Sequence, residues 1–282
     1  KLSTREAEGD AYLGKLGCAD APDRLACVNA LSPEALVAPL EHPFVGGLAG
    51  GGGFGPTIDG HVLTEAPTQT FESGAHHAVP LVIGANADET AATVPAGSMS
   101  PAAVRAAYAA FGDAFAAELE ALYPPGDTNE SATAAWIRAT TDAQFVCPAR
   151  ELARTLAEHQ DAPVWRYLFT HTAPPTFGGD KGAFHGLELF YLFGAIDRIY
   201  GGFLARDEDR AVADLMQRLW TRLAGAGDPN ASEGGDPNWP AYDPATDPVL
   251  EIQPQPAITS GVRTEACDLW AELLALFDEG RL

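Results

Sequence analysis

Apolar positions along the chain change period several times, and the changes predict helices alternating with short strands. The stretch GDAYLGKLGCADAPDRLACVNALSPEALVAPL reads as helical pieces around a short loop that Cys18 and Cys27 could close. A glycine-rich segment, GGLAGGGGFGPTIDG, follows. It lacks the G-K-[ST] step of a phosphate-binding loop, so its glycines predict tight turns or space beside a pocket. AVPLVIGANADET is a branched apolar run bounded by Pro80 and Gly84, which predicts a buried strand running into a polar loop. Helical spacing then runs from Pro101 to Tyr123 and from Ser131 to His159, with YPPGDTNE as the turn. APVWRYLFTH predicts a second strand, and TAPPTFGGDKGAF a long loop ending at His185. Helical spacing resumes in GLELFYLFG and DEDRAVADLMQRLWTRLAG. DPVLEIQ reads as a last strand, and TEACDLWAELLALF as a closing amphipathic helix. This order belongs to an α/β layered domain rather than a bundle or a sandwich.

Composition narrows the partners more than the fold. With 282 residues and 46% apolar content the chain can bury a sizeable core. Its 39 acidic against 17 basic residues give a formal net charge of -22, a surface that repels nucleic acid and anionic membranes. No apolar run reaches the roughly 18 residues that a bilayer span needs, so no membrane span is expected. The opening KLSTREAEGD has no apolar signal-peptide core, and no export address is expected there. The cysteines, Cys18, Cys27, Cys147 and Cys267, include no C-x-x-C pair, which argues against a zinc ribbon or a thioredoxin-like motif. Two disulfides in an oxidising compartment and four reduced buried thiols both fit that spacing.

Candidate chemistry collects where strands end, as working residues do in α/β sheets. Asp88 and Glu89 follow the first predicted strand, and His185, flanked by glycines, closes the loop after the second. A carboxylate orienting a histidine whose other nitrogen faces a nucleophile is the acid-and-base part of a hydrolase triad. A solvated acidic pair and a structural loop histidine are the alternatives.

The segments LGC with LACVNALSPEAL, FGPTIDGHVL, VPLVIGANADET, FVCPAR, VWRYLFTH, GAFHGLELFYLFG, GDPN followed by WPAY, and CDLW together resemble the C-terminal half of a type-B carboxylesterase. That is the α/β-hydrolase family that includes the cholinesterases, and the likeness covers nearly the whole chain. It implies that residues 1–282 form the C-terminal part of one α/β-hydrolase domain, with a mixed, mostly parallel sheet flanked by helices. By the family pattern the triad acid falls on Glu89, in a D-E-G step that here reads Asp88-Glu89-Thr90, and the base on His185. Glu188 matches a buried carboxylate that supports the site from behind. Gly50, Gly51, Gly52, Gly53 and Phe54 stand where cholinesterases place acyl-pocket aromatics, which implies a wider pocket. The segment AATVP, Ala91 to Pro95, replaces the aromatics that hold a choline ammonium, so a choline ester is not the expected substrate. The same resemblance pairs Cys18 with Cys27 and Cys147 with Cys267, and implies a secreted or periplasmic protein.

One part of the pattern is absent. None of the eight serines has glycine both two residues before and two after it, so the G-x-S-x-G nucleophile elbow and the oxyanion loop are expected in an N-terminal half, as a separate chain or a missing segment. The expected activity is hydrolysis of a small-molecule carboxylic ester by a Ser-His-Glu mechanism that requires no metal or organic cofactor. A non-catalytic adhesion module of the same fold is the second reading. An inactive stand-alone fragment is a third, disfavoured because a half-sheet would expose an unpaired edge and an apolar face.

Overall fold

A computed structural model describes residues 2–39, 56–177, 181–231 and 236–278. Internal contacts divide the chain into two compact units, Lys1–Ala75 and His76–Leu282.

The first unit carries helices α1 (Leu2–Lys15), α2 (Arg24–Asn29), α3 (Pro33–Val37) and α4 (Pro67–Glu72). Short helices need their free N–H groups satisfied, and the Asp23 and Ser32 side chains do this by accepting from Ala26 N and Ala35 N. Cys18, fully buried, is bridged to Cys27, so the loop between α1 and α2 is closed covalently.

In the second unit the described strands form one four-stranded sheet in the order β1 (Leu81–Asn86), β2 (Val164–Phe169), β3 (Pro248–Ile252), β4 (Ala257–Ser260). The first two pairings are parallel and the last antiparallel. Strand β2 is buried along almost its whole length because helices cover both faces, which is why its sequence is apolar apart from Arg166. On one face Trp165, Phe169, Leu250 and Ile252 pack with Leu187 and Tyr191 of α9 (Leu187–Leu192) and with Met216 and Leu219 of α11 (Asp207–Ala226). Each such fully buried side chain contributes about 1.5–3 kcal/mol. Behind α9, the buried Asp209 accepts hydrogen bonds from Tyr191 Oη and Arg206, and pairs with His171 at 2.7 Å. Burial pushes its carboxyl up, but the Arg206 bonds prevail and hold it down at about 2.

Four features differ from the pattern of the sequence. The first strand does not stop at Gly84 but continues to Asn86, and a Cβ at Gly84 would lie 2.3 Å from the Tyr167 carbonyl oxygen of β2. Glycine there permits close strand approach rather than ending the strand. The helix expected over 101–123 is split into α5 (Pro101–Ala109) and α6 (Asp113–Leu122) by Gly112 at φ 87°. The helix expected over 131–159 becomes α7 (Asn129–Thr141), a π-helical turn at Asp142–Val146, and α8 (Cys147–His159). Pro148 can neither donate to the preceding turn nor tolerate its carbonyl, and a wider turn relieves both conflicts. Strand β4, half exposed along its length, was not expected.

Arg150 and Arg166, both buried, converge on Asp247 at 2.9 and 2.8 Å, and Cys147 of α8 is bridged to Cys267 of α12 (Thr264–Asp278). Among the described residues no helix is long and apolar enough to cross a membrane.

Candidate active site

The C-terminal ends of β1 and β2 place two loops side by side. After β1, Asn86 leads into a 3-10 turn, Glu89–Ala92, whose first residue is buried. The second loop precedes α9 and carries His185 between Gly182 and Gly186, both in the left-handed region at φ 68° and 79°. Such φ values carry a steric penalty for side chains with a Cβ, so the glycines let the chain turn sharply on either side of the histidine.

Backbone and side chain both join the loops. His185 N–H donates to the Glu89 carbonyl at 3.1 Å, and His185 Nδ1 lies 2.6 Å from Glu89 Oε2. The second carboxylate oxygen, Oε1, accepts from Asn86 N–H at 2.8 Å. An ionised carboxylate only accepts, so Nδ1 carries the proton and Nε2 keeps a lone pair. The side chain of Glu89 is 7% exposed and that of His185 65%, so the carboxylate is enclosed while the ring is accessible. Among the described residues no serine hydroxyl hydrogen-bonds that ring. Phe145, in the π-helical turn, packs beside it with centroids 5.4 Å apart, so the distortion that accommodates Pro148 also aims an aromatic at the histidine.

Burial pushes the Glu89 carboxyl above its ordinary range, opposed by its bonds from Asn86 N–H and His185 and reinforced by the nearby charge of Glu188. A carboxyl raised on folding favours the folded state most when protonated. That contribution is full at acid pH and is lost as pH rises through the raised value. Glu89→Gln is therefore expected to raise the thermal unfolding midpoint at pH 7, with the gain over the parent shrinking toward zero below about pH 4. Thermal scans of both proteins across that window check it.

Glu188, expected as a buried supporting carboxylate, is only half-buried; it bonds Asn86 Nδ2 rather than His185. Gly50, Gly51, Gly52, Gly53 and Phe54 lie outside the described residues. Two contributors were not singled out by the sequence, Asn86 and Phe145, while Asp88, named there with Glu89 as an acidic pair, uses its side chain to accept from Ala183 N–H at 3.0 Å. Only a polar residue ending an apolar strand, as in GANADET, could have pointed to Asn86.

With this geometry in hand, comparison with known proteins finds that the model of the Carboxylesterase family matches residues 4–270. The chain is 30% identical over 218 residues to para-nitrobenzyl esterase of Bacillus subtilis (strain 168), covering 75% of this chain and 42% of that protein. It is 27% identical over 241 residues to acylcarnitine hydrolase of Rattus norvegicus, covering 77% and 41%. Fumonisin B1 esterase of Sphingopyxis macrogoltabida is 30% identical over 199 residues, covering 67% and 35%. The chain thus spans less than half the length of each of these relatives.

Proposed function

Because the chain belongs to the carboxylesterase family, we propose that it carries the base and the acid of a serine ester hydrolase, His185 and Glu89, and that polypeptide outside these 282 residues supplies the serine and the oxyanion hole. The observation that carries this reading is the 2.6 Å contact of His185 Nδ1 with a buried carboxylate, beside an accessible far edge of the ring. Nε2 takes the proton of the serine hydroxyl as Oγ attacks the ester carbonyl carbon. The imidazolium, stabilised by Glu89, then protonates the departing alkoxide and leaves an acyl-enzyme. Water attacks the acyl carbon next, giving its proton to Nε2, and the acid is released as the proton returns to the serine.

In this reading residues 1–282 are the C-terminal part of one α/β-hydrolase domain. The outer edge of β1, which lacks a neighbour among the described strands, is where strands of the N-terminal half would add. The two disulfides favour an oxidising compartment, secreted or periplasmic. The names of the relatives share ester or hydrolase chemistry and differ in substrate, so the substrate is taken no finer than a carboxylic ester.

Labelling the active enzyme with a serine-directed phosphonate and sequencing the modified peptide tests the division of labour. One modified serine, outside the 282 residues, is expected. Stoichiometric modification of one of the eight serines here, with turnover dependent on His185, would place the nucleophile within this chain and overturn that division.

Ala92 and Thr93, exposed on the acid turn, offer no aromatic face to a quaternary ammonium. Uncharged esters are expected to exceed choline esters of the same acyl chain in kcat/KM. A choline preference of about tenfold, near 1.4 kcal/mol in the transition state, would show that the alcohol group binds elsewhere.

A further inference from the structure

Asn86, the last residue of β1, is 1% exposed and makes three donor contacts within the site. Its backbone N–H holds Glu89 Oε1 at 2.8 Å. Its amide Nδ2 donates to the Phe184 carbonyl at 2.8 Å and to Glu188 Oε2. These contacts use both hydrogens of the amide, whereas its buried Oδ1 has no partner. Turning the amide over would face its oxygen toward two acceptors, so the donors decide the orientation. Asp88 pins the same loop one residue earlier, donating from N–H to the Ala183 carbonyl at 3.1 Å and accepting from Ala183 N–H at 3.0 Å. A Cβ at Gly182 would lie 2.2 Å from Asp88 Oδ2, so that contact also requires the glycine.

We propose that Asn86 is a positioning residue for the Glu89–His185 pair, holding the Phe184 carbonyl so that the base loop sits on the acid turn, and engaging Glu188 so that this second carboxylate does not compete for the ring. The inference rests on reading Glu89 and His185 as acid and base. Without the Asn86 side chain, Glu188 loses its donor, and its charge, which already acts on Glu89, is left uncompensated and would favour a cationic ring on that carboxylate. Among the described residues, Tyr167 on β2 lies within the field of Glu89 and Glu188, Asp88 sits on the acid turn next to Glu89, and Arg263, paired with Asp142, donates to the Ala87 carbonyl ahead of that turn.

The test uses the active enzyme and its variants Asn86→Ala, the volume-matched Asn86→Asp, and Asn86→Ala with Glu188→Gln. Two quantities are read: the low-field proton signal of the His185 Nδ1–H bond, and the pH profile of kcat/KM. Both single variants are expected to weaken or lose the low-field signal. Asn86→Ala is expected to lower kcat about tenfold or more with KM within about twofold, as misplacement of a reacting group does. Its acid limb should move up by about half a pH unit or more, and Glu188→Gln should move it back by removing the uncompensated charge. Retention of the low-field signal in both single variants, with loss of thermal stability alone, would overturn the inference and leave Asn86 a structural residue. If the parent shows the signal but no His185-dependent turnover, the esterase reading fails, and the signal in the variants still decides the role of Asn86.

Discussion

Replacing His185 by alanine in the active enzyme is expected to lower kcat/KM by about 10,000-fold or more, the scale on which loss of a triad base acts in serine hydrolases. The size follows from the two proton transfers assigned to Nε2 in the proposed mechanism, from the serine and then from water. Among the described residues the ring's side-chain hydrogen bond is the one through Nδ1, and its side chain is 65% exposed, so alanine there removes little packing and stability should change little. Glu89→Gln is the companion test. It keeps the volume and removes the charge that stabilises the imidazolium, and an equivalent change in a related triad costs about 10,000-fold. Rates measured with an activated ester at saturating and subsaturating concentration separate the two. A loss of only a few-fold for His185→Ala would return the histidine to the structural loop reading.

Removing the Cys147–Cys267 bridge is expected to be the costliest change to stability. The bridge spans 120 residues and joins α8 to α12 within one unit, so in the chain-entropy model its loss frees the unfolded chain by about 5 kcal/mol. The Cys18–Cys27 bridge, across only 9 residues, comes to about 2.7 kcal/mol on the same model. Denaturant unfolding of Cys147→Ala/Cys267→Ala and Cys18→Ala/Cys27→Ala, each against the parent, should therefore rank the first pair as more destabilising. A loss equal to or smaller than that of the short bridge would mean that the unfolded chain is already compact, or that the packing of α12 rather than the cross-link carries the stability.

Glu89 and His185, proposed as acid and base, stood out in the sequence because both follow apolar runs that a buried strand or a glycine-flanked loop explains, and because their order resembles a family pattern. Strands β1, β2 and β3 were legible for the same reason: short branched runs bounded by turn formers have few other uses. Strand β4 was not, since Ala257–Ser260 is four residues long with alternate positions in solvent, too little period to register. Nor were the breaks at Gly112 and before Pro148, where a single residue overrides helical spacing that continues on both sides.

The sequence by itself determined the layered α/β class, the acidic surface and the residue types at the ends of the strands, all of which depend on local pattern and charge. Only the tertiary structure decided that Asn86 reaches Phe184 and Glu188, that Phe145 lies against His185, and that Glu89 is enclosed while His185 is exposed. Asn86 and Phe184 are 98 positions apart in the chain, and a buried amide shows no period or spacing of its own. Its partners exist only after the parallel pairing of β1 with β2 brings the two loops to the same end of the sheet.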